Sequence, residues 1–220
     1  MKIVIILLPF LIGLLIGFFS HDHFKENLET TFPSFQQVKS NFDLANNLRV
    51  DINSVYRENV ILLTSSLRRI YNKEPFAPDA LEALSENTED IGDIIGKYYG
   101  VDIRSEYVQR WTNQNHAYIT YTEAVRDKDN DKKIIAEADL NNYLESSLSF
   151  WKRVNPSFDT IQYKTMLSSR INFIKNFIND LSSSNITDSY KEQHNAYQQN
   201  GKIADFLTLA IVKQFPEKFK

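Results

Sequence analysis

Two charged side chains stand within otherwise apolar helical patterns, where a charge must be paired or used for binding. Arg170 follows Tyr163 by seven residues and precedes Phe177 by seven, so the helical period that buries those two rings also buries the stem of the arginine. Asp205 is the only charge in the run IADFLTLAIV. The spacing therefore predicts that both Arg170 and Asp205 lie in or beside the core.

A buried charge without a partner would cost several kcal/mol. We therefore predict a buried contact between Arg170 and Asp205, with Asp90 and Glu145 as the alternative acids for the arginine. Asn59 lies on the apolar face of an earlier helix. These polar residues either fix the register of the helices or line a polar pocket that holds an anionic ligand against Arg170. Arg170, Asp205 and Asn59 are thus candidate ligand-binding residues.

His116 is the histidine most worth considering as a ligand-binding residue. It lies nine residues from Tyr107, which places it opposite the Tyr/Trp stripe of its helix and predicts that it is exposed. No two histidines show the spacing of a helical metal site, and no E-x-x-H pattern appears. A metal-handling bundle that uses His116 and Asp205 is kept as an alternative, and its metal is unknown.

No sequence pattern of a known catalytic site accompanies these residues. The chain lacks G-x-S-x-G, a glycine-rich phosphate loop and any kinase or Rossmann fingerprint. It contains no cysteine, which excludes disulfides and thiol catalysis. A net charge of −3 without a cluster of Lys and Arg argues against a nucleic-acid partner. We predict no catalytic residue and no cofactor, and the balance favours a protein that is not an enzyme.

Apolar residues recur at steps of three and four through six segments, which predicts an all-α, up-down bundle of six helices. Pro78 suits a first helical turn, and Gly100 is typical of a helix end. The sixth helix is nearly apolar all round and is predicted to be central. The helices pair into three hairpins of similar length, and whether these are a repeat stays open. The predicted helices cover about 46–72, 78–99, 102–127, 132–154, 159–181 and 187–215.

The N-terminus carries a segment for targeting or membrane insertion. Residues Ile3 to Phe19 contain no charge and follow Lys2. As a helix, such a segment rises about 25 Å, which leaves a secretory signal and a membrane anchor both open. Bulky phenylalanines stand where a signal peptidase needs small residues, which favours an uncleaved anchor. Residues 1–20 are assigned to this segment, 21–45 to a tether and 46–220 to the bundle.

Lys2 and the free amino terminus favour the cytoplasmic side, so the bundle is predicted to lie outside the cytoplasm. The bilayer is then a partner through Ile3 to Phe19. Secretion after cleavage is the alternative.

Five stretches from about residue 76 onward match a pattern known from other sequences. They are GKYYG at Gly96 to Gly100, His116, AEADLNNYLESSLSFWKRVNP at Ala136 to Pro156, Met166-Leu167 and IADFLTLAIVKQFPEKF at Ile203 to Phe219. In these stretches the chain resembles a family of uncharacterised bacterial helical-bundle proteins with no established activity. The resemblance implies histidines and acids that line a polar interior. Asn59 and Arg170 would replace two of these histidines, His116 would face the interior as the third, and Asp205 would be one of the acids.

The leading functional hypothesis is a membrane-anchored, extracytoplasmic bundle that binds a small ligand or another envelope protein without catalysis. A structural or assembly protein of the cell envelope is the alternative from a different class. An open cavity lined by Arg170, Asn59 and tyrosines would favour ligand binding, and a closed interior with Arg170 paired to Asp205 would favour the structural role.

Overall fold

The apolar periodicity produces six α-helices in the computed structural model, which describes residues 35–220 and side chains from residue 43 onward. A 3-10 helix, Pro216–Phe219, ends the chain, and the described part contains no strand. The all-α class and the number of helices are therefore confirmed. The helices are α1 Phe35–Asn72, α2 Ala77–Tyr99, α3 Val101–Asp127, α4 Asn130–Val154, α5 Thr160–Ser182 and α6 Ile186–Gln214.

The predicted membrane segment Ile3 to Phe19 lies outside the described residues, as does the tether up to residue 34. Helix α1 begins at Phe35 rather than near residue 46, because the sequence has no proline or glycine between Pro33 and Asn72 to interrupt a helix. Among the described helices, none has both the length and the apolar composition needed to cross a bilayer.

Local sequence signals set the helix ends. Proline lies in the first turn of α2, and Gly100, with φ of 90°, is the single residue between α2 and α3. Asp129 caps α4 by accepting from the backbone N–H of Lys132 at 2.9 Å. Asp159 caps α5 in the same way. Because caps satisfy backbone donors that the helix cannot satisfy itself, these residues fix where the helices start.

Residues 45–218 form one compact unit. Within it α5 packs along α6, α3 packs along α4, and α2 packs along α3. Side-chain hydrogen bonds tie α1 to its neighbours. The Ser66 hydroxyl donates to the Ala80 carbonyl of α2 at 2.9 Å, and the Asn200 amide of α6 donates to the Tyr56 carbonyl at 2.5 Å.

Aromatic rings fill the core of this unit. The Tyr/Trp stripe of α3, which consists of Tyr107, Trp111, Tyr118 and Tyr121, is buried. A second set of rings surrounds Trp151 of α4, which is fully buried. The rings packed on Trp151 with centroids 5.0 to 5.9 Å away are Tyr99, Tyr107, Phe150 and Phe158.

Two glycines on one face of α2 let α3 approach closely. A Cβ atom added at Gly92 would lie 2.3 Å from Cγ2 of Val108, and one added at Gly96 would lie 3.0 Å from Cβ of Arg104. Such contacts are far closer than packed carbon atoms allow, especially at the stiff, β-branched valine. The α2–α3 interface therefore depends on the missing side chain at position 92.

We expect Gly92→Ala to destabilise the protein, although alanine is the better helix former by about 1 kcal/mol. Overpacking against Val108 should cost about 1–3 kcal/mol and exceed that gain. Urea unfolding of the full chain in detergent, followed by circular dichroism, measures the difference. In the Val108→Ala variant the crowding methyl group is gone, so adding Gly92→Ala there should cost much less stability than it does in the wild type. A higher midpoint for Gly92→Ala alone would contradict the interface described here.

Candidate functional site

A buried arginine lies at the centre of the polar interior. Arg170 of α5 is only 1% exposed, as the spacing predicted. Its Nη2 atom donates to Oδ1 of Asn59 on α1 at 2.9 Å. The guanidinium carbon lies 5.1 Å from the ring centroid of Trp111 and 6.0 Å from that of Tyr118. The positive charge is thus held by an amide oxygen and two aromatic faces.

The hydrogen bonds continue from Asn59 toward the surface. The Asn59 amide donates to Oδ1 of Asn87 at 3.1 Å. The Asn87 amide in turn donates to the Val55 carbonyl at 3.0 Å and to the Glu58 carboxylate at 3.2 Å. The series of hydrogen bonds that starts at Arg170 reaches the carboxylate of Glu58 only through the side-chain amides of Asn59 and Asn87. Nε and Nη1 of Arg170 have no hydrogen-bond partner among the described residues.

Five buried tyrosines of the core supply no counter-charge to the guanidinium. Burial raises the pKa of each of these phenols. The charge of Arg170 lowers the pKa of four of them, but this effect is smaller than that of burial. All five are therefore neutral at ordinary pH, and the centre holds one net positive charge. The tyrosines are Tyr56, Tyr107, Tyr118, Tyr143 and Tyr163.

The predicted contact between Arg170 and Asp205 is wrong. Asp205 accepts from Nε of Arg49 at 2.7 Å and from the Asn53 amide at 2.8 Å, and its side chain is 39% exposed. The hydrogen bond with Arg49 holds the pKa of Asp205 below its usual range, so the carboxylate is ionised. The alternative acids fail as well, because Asp90 is exposed and Glu145 pairs with Lys164.

The prediction that α6 is a central helix is also wrong in part. Leu209, one turn after Asp205, is 70% exposed, whereas Leu207 and Ile211 are fully buried. The run from Ile203 to Val212 is apolar on both faces of the helix, and only one of these faces meets the core. The polar partner Arg49 was missed because it lies 156 residues from Asp205 in the sequence.

His116 is exposed on α3. The prediction from its spacing is confirmed, and the inward orientation implied by the family resemblance is wrong. His116 does not join Arg170, Asn59 or Asp205 in one site. No three His, Cys, Asp or Glu side chains lie close enough to hold a metal ion within residues 43–220.

The surface beside Asp205 forms a cleft that is more apolar than the cleft beside His116. We call it the Phe206 cleft; it has a volume of about 810 Å³ and lies between α5, α6 and the loop that joins α4 to α5. Its floor is rigid, since Phe206 meets Phe158 edge to face at 5.1 Å and Phe158 stacks on Trp151 at 5.0 Å. The apolar lining is Pro156, Phe158, Met166, Phe206, Leu209 and Ala210; the polar lining is Asn155, Ser157, Asp159, Gln162, Lys202, Asp205, Lys213 and Gln214.

The cleft between α3 and α4 contains His116 and has a volume of about 620 Å³. We call it the Tyr143 cleft. The Glu106 carboxylate pairs with Arg110 at 2.7 Å and also with Arg153. Most of the lining is exposed and hydrogen-bonding rather than apolar. The lining residues are Glu106, Gln109, Arg110, Asn113, His116, Asp139, Asn142, Tyr143 and Ser146.

No protein-family model, curated protein or solved structure matches this chain. The resemblance described from the sequence therefore stays a prediction, and the function has to be argued from the geometry.

A double-mutant cycle tests the charge at the centre of the interior. Asn59→Leu leaves the guanidinium without its one hydrogen-bond acceptor and should cost about 2–3 kcal/mol. Arg170→Met removes the charge and keeps the length of the stem, so the protein should stay within about 1 kcal/mol of the wild type or gain stability. Urea unfolding of the full chain measures these differences.

The double variant Asn59→Leu/Arg170→Met should be more stable than Asn59→Leu alone, because no buried charge is left without a partner. Equal and additive losses from the two single substitutions would show that Arg170 acts only through the packing of its stem.

Proposed function

We propose that this chain is a membrane-anchored, extracytoplasmic helical bundle that binds a small, largely apolar ligand in the Phe206 cleft and catalyses no reaction. The observation that carries the proposal is the cleft itself. Its volume of about 810 Å³ falls within the range of small-molecule sites. It joins an apolar floor to polar and charged side chains, and small-molecule sites combine apolar contacts with polar groups that orient the ligand.

The floor of the cleft supports this proposal because contacts within the protein hold it in place. Phe158 is buried between Trp151 and Phe206, and Asn155 donates to the Ala210 carbonyl of α6 at 3.2 Å. Gln214 likewise donates to the Val154 carbonyl at 2.8 Å. These contacts fix the α4–α5 loop against α6. A preformed cleft binds with a smaller loss of conformational entropy.

The ligand is assigned to this cleft rather than to the interior. Arg170 is fully buried among aromatic rings and lines neither the Phe206 cleft nor the Tyr143 cleft. The interior is thus closed, but without the pairing of Arg170 to Asp205 that would favour a purely structural role. Asp205 keeps a place in the proposed site as a lining residue of the Phe206 cleft.

The six helices are further proposed to form three hairpins, α1–α2, α3–α4 and α5–α6. The extensive packing of α3 on α4 and of α5 on α6 supports this arrangement.

An assembly role in the envelope is the alternative function, and the exposed Ile134 and Ile135 at the start of α4 favour it.

The membrane part of the proposal rests on Ile3 to Phe19 and on Lys2 before it. We expect an alkaline phosphatase fused to the C-terminus of the full chain to be active and to stay in the membrane fraction after alkaline washing. Leu11→Arg should abolish export, since a charge at the centre of a spanning helix costs about 3 kcal/mol. An inactive fusion in the unchanged chain would contradict the orientation, and a shortened mature chain in the soluble fraction would indicate secretion.

Ligand binding is tested with 8-bromooctan-1-ol, whose bromine quenches nearby tryptophan fluorescence. Trp151 lies directly behind Phe158 of the cleft, so the full chain in nanodiscs should show saturable quenching that Trp151→Phe removes. Leu209→Asp places a charge on the apolar lining and should weaken binding at least about tenfold.

Ile134→Asp is the matched control. Like Leu209, Ile134 is an exposed branched aliphatic side chain, but it does not line the cleft. Saturation-transfer NMR with the same alcohol gives a readout that does not depend on Trp151. Absence of saturable binding by both methods would refute the proposed function.

A further inference from the structure

The charged side chains that line the Phe206 cleft differ in whether another group of the protein already binds them. Oδ1 of Asp159 accepts from the backbone N–H groups of Ile161 and Gln162 at 3.1 and 3.0 Å. Asp205 is held by Arg49 and Asn53. Both carboxylates are therefore already used by the protein, one as a helix cap and one in an ion pair.

The two lysines of the cleft are not used in this way. Lys202 and Lys213 are exposed, and neither takes part in any of the ion pairs or side-chain hydrogen bonds seen across residues 43–220. They lie eleven residues apart on α6, which places them on the same face of the helix and about 16 Å apart along its axis. Phe206 and Leu209 lie between them on the cleft. Each lysine can thus reach a group bound against the apolar lining.

Neighbouring cations strengthen the positive character of the cleft. Arg49 pairs with Asp205 from α1, and Lys152 donates to the carbonyl of the lining residue Pro156 at 2.7 Å. Because Arg49 offsets the charge of Asp205, the two free lysines of the lining stand against one remaining carboxylate, Asp159. This balance favours a negative ligand.

We infer that the ligand of the Phe206 cleft is a single-chain amphiphilic anion of the fatty-acid type. Its hydrocarbon chain lies against Phe206 and Leu209, and its acidic group is held by Lys202 or Lys213, which stand at the two ends of this apolar lining. This inference rests on the proposed function, since it names the ligand class of the same cleft. An apolar surface with a free ammonium group at its end complements a hydrocarbon chain that ends in an acidic group.

A pair of probes that differ only in charge tests the inference. We compare 8-bromooctanoate with 8-bromooctan-1-ol by quenching of Trp151, with the full chain in nanodiscs of zwitterionic lipid. The wild type should bind the anion about fivefold more tightly than the alcohol. Added salt should reduce this ratio, because it screens exposed charges.

Variants of the two lysines show whether they cause the preference. In Lys202→Gln/Lys213→Gln the ratio of affinities should fall to about one, because the anion loses much more affinity than the alcohol. The single variants show which lysine contributes more. Lys191→Gln is the matched control, since Lys191 is exposed on α6 and does not line this cleft. Circular dichroism of each variant confirms that the helices are intact.

The outcomes separate this inference from the proposed function. Equal binding of both probes to the wild type, or a preference for the anion that survives in the double lysine variant, would overturn the inference and leave ligand binding in place. Failure of both probes to bind would instead overturn the proposed function.

Discussion

The guanidinium of Arg170 is the constraint on which the arrangement of the core depends. A guanidinium keeps its charge in proteins, so folding must replace the water it loses. The replacement comes from Asn59 of α1 and from Trp111 and Tyr118 of α3. Tyr143 adds α4 to the same centre, because its phenol interacts with the arginine charge. One buried charge thus requires four helices to meet at one point.

This requirement gives the bundle a single register and closes its interior. A slip of one turn on α5 would move the guanidinium away from Asn59 and leave a buried cation without an acceptor, at a cost of several kcal/mol. Aromatic rings around Arg170 fill the space that a ligand would need. The interior therefore determines which helices are neighbours, while the Phe206 cleft, the proposed binding site, lies at the surface of α6.

The sequence contained enough information for the helices and for the burial of Arg170 and Asn59, because both follow from periodicity within one segment. It did not contain the partner of Asp205. A helical period shows which face of a helix is apolar, but it does not show which other helix that face meets. Arg49 reaches Asp205 because α1 lies beside α6, which the periodicity of either helix does not show. The Phe206 cleft was missed for the same reason, since its lining comes from three separate segments.

The exposed apolar side of α6 favours the proposed ligand-binding role over a purely structural one. A helix that is apolar all round is normally buried on every side. Here the core covers Leu207 and Ile211, while Leu209 stays largely exposed between Lys202 and Lys213. Stability gains little from leucine at an exposed position, and exposed apolar surface beside a cleft is typical of binding sites. Under the proposed function, the composition of α6 follows from two contacts, one with the core and one with the proposed ligand.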